Sequence, residues 1–137
     1  MTVVHFSEAV ANSMGAQVIA ALDAGSGPAR VRFYTAPMAA SVNEAITTQT
    51  LLGTLTCSDP SADTAAGILT FAAIAQDASA DSAGQAAWAR VESSAGTAVV
   101  DLDVTGLAGS GAIKLNTVEI IAGGPILLNS LAIDLRG

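Results

Sequence analysis

His5 is the only histidine and Cys57 the only cysteine in this chain, so together they bound its nucleophilic and acid–base chemistry. A catalytic histidine needs a nucleophile and an orienting group held against it. The surrounding MTVVHFSEAV marks neither, and His5 reads as an ordinary polar residue. One cysteine allows no internal disulfide and no multi-thiolate metal site, so Cys57 reads as a buried structural thiol. The run Gly106-Leu107-Ala108-Gly109-Ser110-Gly111 is rich in glycine, but no phosphate-loop motif occurs and no helix is expected after it. It reads as a loop.

The acids offer two further chemistries. Asp101 and Asp103 would project from one side of a strand, where two carboxylates could approach Ca²⁺; a solvated outer face is the favoured reading. Asp59, Asp63, Asp77 and Asp81 sit in turn-like sequence, where aspartate satisfies neighbouring backbone donors. Glycoside hydrolysis by paired carboxylates usually accompanies an aromatic-rich cleft, and aromatic residues are only 4% of this chain. No catalytic residue, cofactor or metal ligand is assigned, and the chain is not expected to be an enzyme.

Partner binding is the remaining chemistry, and four residues are its candidates. Trp88 and Arg90 alternate in Ala86-Ala87-Trp88-Ala89-Arg90, and both types are enriched at interface hot spots, although a core position is the favoured reading for Trp88. Arg30, Arg32 and Arg90 are three of only five basic residues. On one sheet face they would form a positive patch able to receive a carboxylate-bearing partner.

These side chains must be positioned by the elements around them. Phe6, Val10, Met14, Val18 and Leu22 recur every fourth residue behind Ser7, a possible N-cap, and stop before Gly25, which predicts an amphipathic helix over residues 7–24. Gly25-Ser26-Gly27-Pro28 breaks the chain, and Arg30-Val31-Arg32-Phe33-Tyr34 alternates as a first strand. Short β-prone runs follow at Leu51–Cys57, Ile68–Ala75, Ala86–Glu92 and Thr97–Thr105, then Ala112–Asn116, Val118–Ile121, Ile126–Leu128 and Leu131–Leu135. In the clearest of these, Ala98, Val100, Leu102 and Val104 alternate with Thr97, Val99, Asp101 and Asp103. Residues 86–105 read as a hairpin turning at Ser93-Ser94-Ala95-Gly96. Segments 36–49 and 76–85 read as exposed loops. Seven to nine strands with no alternating helices predict a mainly β fold, a jelly-roll-like or Greek-key β-sandwich over residues 29–137 with one N-terminal helix.

The whole-chain numbers agree with one structural domain over residues 1–137. Hydrophobic residues make up 51% and charged residues 12%, against about 25% charged in an ordinary domain. Seventeen charges leave about 380 Å² of estimated folded surface each, so a partner is expected to cover apolar area. The net charge of −7 argues against nucleic acid. The best uncharged run, Ile120–Ile133, is interrupted by Gly123-Gly124-Pro125 and Asn129-Ser130, which argues against a membrane span. The N-terminus does not read as a signal peptide, so synthesis in a cytoplasm is expected.

The succession Ala20-Ala21-Leu22-Asp23-Ala24-Gly25, Ala29–Thr35, Leu51–Thr56 and Ser58-Asp59-Pro60, continued by Gly84–Arg90, Gly96–Asp103 and Gly123-Gly124, resembles small structural proteins of tailed bacteriophages. It is most similar to the capsid cement, or decoration, proteins of Bordetella-type phages, and the likeness covers most of the chain. The resemblance implies a jelly-roll-like sandwich on the outer capsid surface, with the major capsid protein and a second copy of itself as partners in a homo-dimer. A tail or neck component of the virion, or a small-ligand or carbohydrate-binding β-sandwich, are the alternatives.

Overall fold

The structure, a computed structural model, describes residues 3–137. One helix, α1 (Glu8–Leu22), precedes ten strands: β1 (Arg30–Tyr34), β2 (Leu51–Thr56), β3 (Ala62–Ala65), β4 (Ile68–Phe71), β5 (Gly84–Gln85), β6 (Trp88–Glu92), β7 (Ala98–Gly106), β8 (Ile113–Leu115), β9 (Glu119–Ile120) and β10 (Ala132–Asp134). The fold is mainly β, a sandwich with one N-terminal helix, as the strand spacing predicts.

Five strands form the larger sheet in the order β2-β1-β6-β7-β8, antiparallel except for the parallel β7–β8 pair. A three-stranded sheet, β10-β4-β3, lies apart from it in the ladder, and β5 pairs with β9. Strand alternation sends Val31, Phe33, Ala89, Val91, Leu102 and Val104 to one face of the larger sheet. There they join Leu69 and Phe71 of β4 and Leu22 of α1 in one hydrophobic cluster.

The helix begins where expected: Ser7 Oγ accepts from the Val10 N–H at 3.2 Å. Its inward face is different. Ala11, Gly15 and Leu22 are buried, whereas Phe6 and Val10 are exposed. The reason is geometric: at about 100° per residue, a strict four-residue spacing drifts about 40° per step, so the row winds around the helix instead of lining one side. Small residues at positions 11 and 15 let the helix settle against the β3–β4 hairpin, where Asn12 Oδ1 accepts from the Gly67 N–H at 2.9 Å. Gly25 is not the helix-ending glycine. Asp23 caps the helix, and Gly25 instead gives room to the Ser94 side chain, which a Cβ there would strike.

Segment 76–85 is mostly exposed, as expected, and is tied to the sandwich at three points: the Asp77–Ile126 bridge, buried Ala80 and β5. One further expectation changes. Ile126–Leu128 contributes that single bridge and no strand.

Candidate partner-docking face

On the face of the larger sheet opposite the core, β1, β6 and β7 align Arg30 with Glu92, Arg32 with Arg90 and Tyr34 with Trp88, and Arg90 in turn with Asp101. The expected sharing of one face by Arg30, Arg32, Arg90 and Trp88 is therefore real. The expected positive patch is not, because Glu92 and Asp101 stand among the arginines.

The two ends of this face differ. At the Trp88 end the chain covers itself. Trp88 is 0% exposed; its ring stacks on Tyr34 at 5.1 Å between centroids, and the Arg90 guanidinium lies over it at 5.3 Å. The indole N–H donates to the Thr35 carbonyl at 3.0 Å. Arg90 Nε and Nη2 donate to the two oxygens of Asp101 at 2.7 and 2.9 Å, and both side chains are only 7% exposed. The Asp101 hydrogen bond raises the Arg90 pKa further. Its remaining donors reach the carbonyls of Glu44 and Ser41, so residues 36–49, expected to be a free loop, are tied across the sheet. Two bonds between Thr35 and Thr50 close the base of that loop. Trp88 and Arg90 are thus internal, a correction to their candidacy for docking: the long connection consumes the surface they would have offered.

At the other end, Arg30 and Arg32 remain half-exposed and share Glu92. On β2, Thr56 and Thr54 stand in register beside them. Of the four candidates, only these two arginines present charge outward.

The other chemistry-bearing residues occupy structural posts. Cys57 is a free, buried thiol, and burial, aided by the nearby Asp23 carboxylate, pushes its pKa up to about 11. Asp103 accepts from the Ala112 N–H at 2.8 Å, so Asp101 and Asp103 serve an arginine and the backbone respectively. Asp77 receives the N–H groups of Thr54 and Ser79, and Asp63 that of Thr64, as turn aspartates do. Among the described residues no group of three or more His, Cys, Asp or Glu is placed to hold a metal ion. Gly109 and Gly111 fold tightly around Thr105, whose Oγ1 accepts from the Gly111 N–H. A groove of about 640 Å³ along β3 and β4 is lined by Pro60, Ala62, Thr64, Thr70 and Phe71, with Asp63 as its ionisable group.

Sequence reasoning missed the Arg90–Asp101 pair and the buried carboxylate of Glu92. The strand period placed Arg90 and Asp101 on one face, but counting outward from the turn does not pair them: they meet only because the register shifts between Val91 and Glu92, which no residue pattern announces. Comparison with known proteins finds no matching family model, no matching curated protein and no matching solved structure. Among the described residues no helix is long and apolar enough to cross a membrane.

Proposed function

We propose that this chain is a virion structural protein that binds the outer surface of an icosahedral phage capsid and stabilises it by bridging neighbouring major capsid subunits. One observation carries the reading beyond the resemblance: four large apolar side chains stand exposed along one short segment, while Met38, Leu107, Ile121 and Leu127 are exposed singly elsewhere. Val3, Val4, Phe6 and Val10 are 67%, 51%, 44% and 48% exposed and follow one another through the segment that leads into α1 and onto its outer side. Grouped exposure of this kind marks an interaction surface. The segment is not loose at its base, because the Phe6 N–H donates to the Arg136 carbonyl at 2.6 Å.

Such an arm gains free energy when its apolar area leaves water against another subunit. Many copies on one lattice act together through avidity, and binding only to the assembled shell shifts the equilibrium toward that shell. A net charge of −7 suits a site facing away from packaged DNA. In this reading copies pair across neighbouring capsomers, and the chain is made in the host cytoplasm before joining the virion. Imaging of purified particles with and without this chain tests the location: the reading expects density to be lost over the outer shell, and loss confined to the tail or neck overturns it.

A further inference from the structure

The basic side chains are unequally matched with acids. Arg90 has Asp101, and Arg136 lies between Asp134 and Glu8. Arg30 and Arg32 must divide one carboxylate: Arg30 Nη2 and Arg32 Nη1 lie 3.1 and 3.4 Å from the same oxygen, Glu92 Oε1. Glu92 is 8% exposed while the arginine side chains are 36% and 34% exposed, so the excess positive charge faces solvent and its counter-charge is set behind it. Beyond Glu92, the one further acceptor within reach among the described residues is the Ser94 carbonyl, 3.3 Å from Arg30 Nη2. The Nε–H groups of both arginines are shielded from water and meet no acceptor among the described residues.

We propose that Arg30 and Arg32 form a clasp for a carboxylate presented by a partner protein, with Glu92 as the positioning residue that holds the two guanidinium groups side by side. The i, i+2 spacing on β1 aims both at one spot, and the Thr54 and Thr56 positions of β2 border it. With Nε–H turned inward, the Nη–H groups at the exposed end of each guanidinium are the donors offered to a carboxylate, which accepts charge-assisted hydrogen bonds from such groups. The single excess charge suits a monoanion better than a phosphate dianion, which the net charge of −7 also repels. Neither arginine lines one of the principal grooves, so the carboxylate arrives on a protein surface and is not enclosed as a free ligand.

The clasp names one contact of the partner proposed above and rests on that reading only for the partner's identity. Its test is an NMR titration of the arginine Nε–Hε signals of the full chain at low salt, with a capped peptide carrying a single glutamate, acetyl-Gly-Glu-Gly-amide, as probe and inorganic phosphate as comparison. Saturable shifts at Arg30 and Arg32, with Arg90 unmoved because Asp101 already occupies it, are the expected result. Arg32→Gln should weaken the peptide about tenfold, the loss of one charge-assisted bond, and Arg32→Lys should restore only part because it lacks the fork. Absence of shifts at millimolar peptide, equal shifts at Arg90, or tighter binding of phosphate would each overturn the proposal. Peptide binding by a protein whose removal leaves shells equally robust would keep the clasp and discard the capsid reading.

Discussion

Replacing Arg90 by alanine would strand Asp101 as a nearly buried carboxylate without its cation and would release the loop carbonyls of Ser41 and Glu44. Breaking a buried pair from one side costs about 3–5 kcal/mol, so urea unfolding of Arg90→Ala should show a loss of that order. Trp88→Ala should cost a similar amount, about 3–5 kcal/mol, because a fully buried indole leaves a cavity behind. A Trp88→Ala protein of unchanged stability would contradict its internal placement. Cys57 provides a pH test. Its folded pKa stands raised to about 11 from an ordinary 9.0, so the folded state keeps its proton longer than the unfolded chain. Its contribution is therefore complete below pH 9 and is lost as pH rises from 9 to 11; Tyr34, also raised by burial, acts in the same direction from 10.0 upward. Stability measured across that range should fall, and a Cys57→Ala variant should fall less.

At the scale of elements, α1 owes its start to Ser7 and its seat to small residues. Ser7→Ala should cost about 1 kcal/mol by removing the cap. Gly15→Val should cost about 1–3 kcal/mol, since a side chain there meets Thr64 and Leu135. Thermal melting of both variants checks these values. The elements also show what a reader of the sequence can and cannot extract. The β6–β7 hairpin was legible because two alternating runs flank a turn, and Gly96 takes the left-handed conformation that turn requires, with φ +89°. The edge strand β3 was not legible: Ala62-Asp63-Thr64-Ala65 has no apolar alternation and becomes a strand only by pairing with β4. The helix stripe misleads because a four-residue spacing drifts around the helix and does not mark one face. In the candidate site, the shared face of the four residues follows from strand period, but their accessibility depended on where residues 36–49 fold, and that connection carries no periodic pattern.

At the scale of the molecule, most arginine charge is spent inside the chain while apolar side chains collect around the start of α1. A body built this way offers the start of α1 to an apolar neighbour and the Arg30–Arg32 pair to a carboxylate on it. The proposed role follows if that neighbour is an assembled shell, whose intact state the bound copies would favour by mass action. The most direct test compares shells carrying this protein with shells lacking it, heated stepwise and separately exposed to low salt, with rupture followed by release of the packaged DNA. The account predicts that complete shells survive to higher temperature and lower salt, and that adding back the purified chain restores the difference; indistinguishable rupture thresholds would contradict it.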